Sequence, residues 1–251
     1  GGGIRVRNAP VVLVGVTIAG NAATSGGGAW VGSSGSLTLM NVTVNDNTAS
    51  ATGGGVTLGD ASASLDIRGS TVSGNDAVDG GGVHLNGSLA QIVLSTVSGN
   101  AASGDGGGVW VHALAVPTIL ASTLDGNAAS GDGANLSAGG TVALGASVLA
   151  GPVGGADCGG GLTVASLGYN VASSTSCGLT GTGDTQGVDP LLGPLADNGG
   201  ATLTHLPDET SAVVDAIPAG TAIMCDAVFP IDQRGEARPR GGACDIGAVE
   251  R

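Results

Sequence analysis

Three aspartates stand directly before glycine-rich phrases of the chain, at Asp79, Asp105 and Asp132. Carboxylates that recur at one repeat spacing would repel each other, and a hard cation held by oxygen ligands would relieve that repulsion. Calcium is therefore the one cofactor that the residue types suggest. Solvent-screened aspartates in exposed turns produce the same pattern, and we favour that interpretation over a metal site.

The residue two positions after each glycine-rich phrase belongs to a second series, which contains both tryptophans of the chain. The series is Arg5, Trp30, Thr57, His84, Trp110 and Ser137. Aromatic side chains exposed on a flat surface can stack on sugar rings or anchor a partner protein. Trp30, Thr57, His84 and Trp110 are thus the candidate ligand-binding residues. The alternative is that the tryptophans cover the surface or pack under a loop.

Side chains suited to catalysis are sparse. Lysine is absent, and Asp66 and Arg68 give the only charged pair on a predicted strand, which we interpret as a surface ion pair. A polysaccharide lyase needs clustered acids and a basic residue, and a glycoside hydrolase needs convergent carboxylates. The sequence shows no Ser-His-Asp or Cys-His arrangement. We therefore predict no catalytic residue, with a polysaccharide lyase or hydrolase as the alternative.

Both series follow from a repeat. Glycine-rich phrases begin at Gly1, Gly26, Gly53, Gly80 and Gly106, at intervals of 25, 27, 27 and 26 residues. Each repeat offers three short runs of alternating apolar and polar residues, without helical periodicity. The sequence predicts a right-handed parallel β-helix with three short strands per coil of about 26 residues, stacked about 4.8 Å apart. About six coils should span residues 1–150.

Two polar columns accompany the coils. Asparagine ends a second repeated phrase, at Asn21, Asn47, Asn75, Asn100 and Asn127. Stacked side-chain amides can donate and accept along the axis, which predicts an interior ladder at one corner. Threonine recurs at Thr17, Thr43, Thr71, Thr96 and Thr123, as expected for cross-strand pairs on one sheet.

The composition sets limits on the class of protein. The 251 residues include 50 glycines and 2% aromatic residues, and the net charge is −13. Because large side chains are so few, they can fill the narrow hydrophobic core of a solenoid but not the wide core of a globular domain. The negative charge argues against nucleic acid and anionic membranes as partners. No signal peptide or long apolar run is present, so we expect a processed, N-terminally truncated piece of an exported protein.

Residues 151–251 differ in composition from the repeats. They contain every cysteine and all prolines except Pro10 and Pro117. The cysteines form two neighbouring pairs, Cys158 with Cys177 and Cys225 with Cys244, and disulfides would indicate an oxidising compartment. Buried reduced thiols are the alternative. An open solenoid end would add another chain, so this module is predicted to cap the last coil.

The repeats and the C-terminal part each resemble a known family. The Gly-Gly-Gly-Val and Ser-Thr-Val-Ser-Gly-Asn phrases resemble the repeats of polymorphic outer membrane proteins, and the C-terminal part is similar to the choice-of-anchor Q domain. The matching C-terminal phrases are Gly168-Tyr169-Asn170, Cys177-Gly178-Leu179, Asp189-Pro190-Leu191-Leu192-Gly193-Pro194-Leu195, Asp197-Asn198-Gly199-Gly200, Asp232-Gln233-Arg234-Gly235 and Cys244-Asp245-Ile246-Gly247-Ala248-Val249-Glu250. The resemblance implies an extracellular, pectate-lyase-like β-helix of a bacterium, tethered by a variable anchor.

We therefore expect a non-catalytic extracellular or cell-surface protein with a structural or adhesive role, including end-to-end assembly into filaments. Its partners would be other copies of itself or cell-surface glycans and proteins, with no nucleic acid and no membrane insertion by this segment. The alternative is a β-helix that binds or cleaves polysaccharides through the outer face of Trp30, His84 and Trp110.

Overall fold

The structure is a computed structural model that describes residues 1–87, 89–222 and 224–251. Every regular element in these residues is a β-strand. Successive strands along the chain join different sheets, and each strand pairs in parallel with its counterpart about one repeat later. The prediction of a parallel β-solenoid is confirmed.

Four sheets run along the solenoid. The first contains Ile4–Arg7, Ala29–Gly32, Val56–Leu58, Val83–Leu85, Val109–Val111, Leu136–Ala138 and Cys158–Gly160. The second contains Pro10–Val14, Ser36–Met40, Ser64–Arg68, Leu89–Val93, Thr118–Leu120, Thr141–Gly145 and Thr163–Gly168. The third contains Thr17–Ala19, Thr43–Asn45, Thr71–Ser73, Thr96–Ser98, Thr123–Asp125, Val148–Ala150, Val171–Ala172 and Thr185–Gln186.

The fourth sheet was not predicted. It contains Ala22–Ser25, Thr48–Thr52, Asp76–Ala77, Ala101–Ala102 and Ala128–Ala129. Most of these strands are too short to display a period of two residues, and alanine is not enriched in strands, so the sequence pattern gave no signal. Outside the solenoid, Ile217–Pro218 pairs antiparallel with Ala243–Cys244.

The core is a stack of aliphatic side chains in register. Val56, Val83 and Val109 are aligned on successive strands of the first sheet, and all three are buried. Each fully buried valine, leucine or isoleucine contributes about 1.5–3 kcal/mol of transfer free energy. The core cluster consists of valine, isoleucine, leucine, alanine and cysteine side chains, in keeping with the scarcity of aromatic residues.

The asparagine column is an interior hydrogen-bonded ladder. The Asn47 side chain donates to Asn75 Oδ1 at 2.9 Å, and the Asn75 side chain donates to Asn100 Oδ1 at 2.9 Å. Each Oδ1 also accepts the backbone N–H of the preceding asparagine, as in Asn75 N–H to Asn100 Oδ1 at 3.0 Å. The structure thus places Asn21, Asn47, Asn75, Asn100 and Asn127 in one column at one corner.

The third glycine of each phrase leaves room for this ladder. A Cβ on Gly82 would lie 3.0 Å from the amide nitrogen of Asn100.

After Asn127 the alignment brings Pro152 to the ladder position, and Pro152 has no side-chain amide. Asn135, which replaces the third glycine in that coil, takes over the ladder: Asn127 donates to it at 2.8 Å, and it donates to Asp157 Oδ1 at 2.8 Å.

The solenoid continues beyond the boundary predicted between residues 150 and 151. Cys158–Gly160, Thr163–Gly168 and Val171–Ala172 form a further coil that pairs in parallel with the coil before it. The predicted division into repeats over 1–150 and a separate module over 151–251 is therefore wrong at its boundary. The coil was missed because Asp157 and Cys158 stand where earlier coils carry glycine and an aliphatic residue.

A disulfide-bonded loop closes the C-terminal end of the core. Cys158 and Cys177 are bonded, and Cys177 and Leu179 are buried in the same apolar cluster as Ala172. The second disulfide joins Cys225 to Cys244, so the expected pairing of neighbouring cysteines is confirmed.

The remaining C-terminal segment, described over residues 188–222 and 224–251, lies along the outer face of the third sheet. Thr71 Oγ1 donates to the carbonyl of Leu203, and the Ala248 N–H donates to Thr123 Oγ1 at 3.2 Å. The prediction that the whole of residues 151–251 caps the last coil is therefore wrong for this segment. Contacts between residues this distant in sequence leave no local pattern. Among the described residues, no helix has the length and apolar character to cross a membrane.

Candidate functional site

The tryptophan series forms one column on the first sheet. Strand pairing aligns Arg5 with Trp30, Trp30 with Thr57, Thr57 with His84 and His84 with Trp110. Neighbouring residues on each strand, such as Val83 and Leu85, point into the core. By the alternation of a strand, the column therefore faces outward.

The middle of this column is closed. Thr57 is 2% exposed and His84 is 4% exposed. The Thr57 hydroxyl donates to the carbonyl of Thr52 at 2.9 Å, and the imidazole of His84 stacks on the Trp110 indole at 4.4 Å between ring centroids. The expectation that these residues form an exposed aromatic face is wrong at Thr57 and His84. Strand alternation gives the direction of a side chain, but it does not say whether a large neighbour covers it.

Trp30 is half-buried and has a different environment. A Cβ on Gly32 would lie 2.2 Å from Trp30 Cη2, and a Cβ on Gly59 would lie 2.6 Å from Nε1. The indole therefore packs directly against these two glycines. The guanidinium carbons of Arg5 and Arg7 lie 4.8 and 5.2 Å from the ring centroid, which is cation–π distance.

His84 gives a pH-dependent prediction. Burial lowers its pKa to about 4, more than the charge of Asp79 raises it. The unfolded chain therefore binds this proton more readily between pH 6.5 and 4, and stability is lost as the pH falls through that window. We expect His84 to cost about 3 kcal/mol of unfolding free energy over this range.

Denaturant unfolding at pH 7 and pH 4 measures this cost. His84→Phe keeps an aromatic ring against Trp110 but cannot titrate, so it should lose about 3 kcal/mol less than the wild type between the two pH values. His112→Gln is the matched control, because His112 is exposed. An unchanged pH dependence in His84→Phe contradicts the prediction.

The aspartate column forms backbone contacts between coils. Asp79 Oδ1 accepts the N–H of Asp105 at 2.9 Å, and Asp105 Oδ1 accepts the N–H of Asp132 at 2.7 Å. Within residues 1–87, 89–222 and 224–251, no three His, Cys, Asp or Glu side chains form a group that could hold a metal ion. These hydrogen bonds give the column a structural role, and calcium stays a prediction.

The structure brings together Ser98, His205 and Asp125, which sequence analysis did not connect. Ser98 Oγ lies 2.8 Å from His205 Nε2, and Asp125 Oδ2 lies 3.6 Å from the same nitrogen. His205 Nδ1 lies 2.7 Å from the carbonyl of Gly193, which can only accept, so Nδ1 carries a proton.

This arrangement differs from a hydrolase triad. A carbonyl, not a carboxylate, orients the imidazole, and Ser98 and His205 are both buried. Ser98 and His205 are 107 residues apart, so no sequence spacing could have indicated the contact. The cluster attaches the C-terminal segment to the third sheet.

Buried charges fix the shape of the C-terminal segment. Arg238 pairs with Glu250 at 3.2 Å and donates to the carbonyls of Gly247 and Asp245. Burial lowers the pKa of Arg238 and raises that of Glu250. Asp232 accepts backbone N–H groups from Arg234, Glu236 and Glu250. These groups bond mainly to one another, although Arg238 Nε has no hydrogen-bond partner among the described residues.

The column around Trp30 is the best-formed candidate site, because the neighbouring guanidinium groups of Arg5 and Arg7 form no ion pair with any residue that the structure describes. None of the protein-family models, curated proteins or solved structures compared with this chain matches it.

Proposed function

We propose that this chain is a non-catalytic extracellular or cell-surface protein of a bacterium, with a structural or adhesive role. The main support is that its chemically capable side chains serve internal contacts: Ser98, His205, Thr57 and the aspartate column all bond within the chain. The two disulfides are in keeping with an oxidising, extracellular environment. The resemblance to bacterial surface repeats supports the same location.

Assembly of copies end to end is a variant of this proposal. Parallel strands stacked in register leave an unpaired edge at the end of a sheet, and such an edge can accept another chain. A filament of this kind would serve as a stalk or an adhesive fibre.

Surface labelling tests the location. An antibody raised against the folded protein should label intact cells of its source, and trypsin added outside the cells should remove the signal. Permeabilised cells of the same culture are the control. Labelling that appears only after permeabilisation contradicts the proposal.

Carbohydrate binding by the column of Trp30, Thr57, His84 and Trp110 is the second proposal. The half-buried Trp30 supports it, because a groove of about 340 Å³ opens beside its indole. Indole rings stack well on sugar rings. The closed stack of His84 on Trp110 confines this function to the Trp30 end of the column.

A further inference from the structure

We propose that Arg5, Arg7 and Trp30 form a binding site for an oxyanion carried by a saccharide, either the carboxylate of a uronic acid or a sulfate ester. This inference rests on the second proposed function, carbohydrate binding at Trp30, and names its ligand class.

The first argument is charge. Arg68, Arg234, Arg238 and Arg251 each pair with a carboxylate within 3.2 Å. In the part of the chain that the structure describes, no ion pair involves Arg5 or Arg7, and both side chains are exposed. Two uncompensated guanidinium groups on one strand create a local positive potential in a chain of net charge −13.

The second argument is the position of the two guanidinium groups. Trp30 is held against Gly32 and Gly59, and both guanidinium groups lie at cation–π distance from its ring. A guanidinium stacked on an aromatic ring keeps its N–H edge free, and that planar fork matches the geometry of a carboxylate or sulfate. The site is therefore ordered before a ligand arrives, which lowers the entropic cost of binding.

The third argument is the groove. It has a volume of about 340 Å³ and is lined by Gly1, Arg5, Ala23, Thr24, Ser25 and Trp30. No acidic residue is among these six. The hydroxyls of Thr24 and Ser25 can bond sugar hydroxyls, and Ser25 Oγ already accepts from Thr52 Oγ1, which leaves its proton free to donate. The volume suits a small ligand such as one or two sugar rings.

Asp60 lies at the glycine side of the ring, where a Cβ on Gly32 would be 3.0 Å from its Oδ2. Its carboxylate accepts the N–H of Ser33 and the hydroxyl of Ser62, and these hydrogen bonds lower its pKa. Asp60 thus has its own partners. A nucleic acid is disfavoured as the ligand, because it needs many phosphate contacts on a surface that is otherwise acidic.

Calorimetric titration tests the proposal with three probes: oligogalacturonate, dextran sulfate and neutral dextran. We expect at least one acidic saccharide to bind, with affinity that falls as salt rises, and neutral dextran to bind more weakly. The uronate and sulfate probes distinguish the two sources of the oxyanion. In a Trp110→Phe background, Trp30 is the sole tryptophan, so its fluorescence should change on binding.

Arg5→Gln with Arg7→Gln should lower the affinity for the acidic saccharide by about tenfold or more. Arg68→Gln is the matched control, because Arg68 is also partly exposed but pairs with Asp66 on the second sheet. The control should bind as the wild type does, and melting temperatures of all variants check folding.

Three results overturn the inference. Acidic saccharides that bind equally well to the double variant place the oxyanion elsewhere. Equal affinity for neutral and acidic saccharides leaves carbohydrate binding standing but removes the charge preference. Failure of all three saccharides to bind rejects both the inference and the second proposed function.

Discussion

Asn100→Ala is expected to lower the free energy of unfolding by about 3–5 kcal/mol, because it leaves several buried polar groups without hydrogen-bond partners. Asn100 Oδ1 accepts both the backbone N–H and the side-chain amide of Asn75, and Asn100 Nδ2 donates to Asn127 Oδ1 and to the carbonyl of Val72. Alanine replaces none of these contacts. No water can reach them, since Asn75, Asn100 and Asn127 are all buried.

The matched control is Asn21→Ala, at the end of the same column. Asn21 is half-buried, and its side chain donates to Asn47 Oδ1 and to the carbonyl of Ala19. We expect this variant to lose only about 1 kcal/mol, because solvent can replace the lost contacts. Denaturant unfolding at equal ionic strength measures both. Equal losses for Asn21 and Asn100 would show that the ladder gains nothing from its burial.

Glu250→Gln should destabilise the attachment of the C-terminal segment by about 3–5 kcal/mol at neutral pH. The side chains of Arg238 and Glu250 are 0% and 1% exposed, and removal of the negative charge leaves the buried Arg238 guanidinium without its ion-pair partner. Glutamine keeps the shape and an acceptor for the Asp245 N–H. The effect combines the lost charge with the loss of one acceptor, since Glu250 Oε2 also accepts the Arg240 N–H at 3.3 Å.

Hydrogen exchange at the amides of Gly247 and Ala248 measures this attachment, since they donate to the Ala146 carbonyl and to Thr123 Oγ1 on the solenoid. Glu209→Gln is the control, because the Glu209 carboxylate pairs with Arg251 but is 82% exposed. Its substitution should change the free energy of unfolding by less than about 1 kcal/mol. Burial raises the pKa of Glu250, so its own protonation favours the folded chain as the pH falls. Because glutamine cannot take up this proton, the difference between the wild type and Glu250→Gln should then grow. Similar small effects in both variants would contradict the prediction.

Repetition is what made the solenoid predictable. Identical phrases one coil apart fix the register of each strand, so the alignment of Val56 with Val83 and the column of asparagines follow from counting residues. The same counting failed where the phrase changed. Asn135 and Asp157 continue the ladder from the glycine position, because Pro152, at the ladder position, has no side-chain amide.

The candidate site was predictable in position but not in environment. Counting placed Trp30, His84 and Trp110 in one column, yet it could not show that Trp110 covers His84 or that Arg7 reaches Trp30. Contacts of the C-terminal segment were beyond sequence analysis altogether. Gln233 donates to Ser70 across 163 residues, and no local pattern records such a distance.

The ladder also has an electrical direction. Each side-chain N–H points toward the following coil and each Oδ1 toward the preceding one, so the amide dipoles add along the axis with their positive end on the C-terminal side. The buried carboxylate of Asp157 meets that positive end, as an anion does at the N-terminus of a helix. A carboxylate has no amide proton to pass on, so the series terminates there chemically. Only a coil added on the Asn21 side could lengthen it.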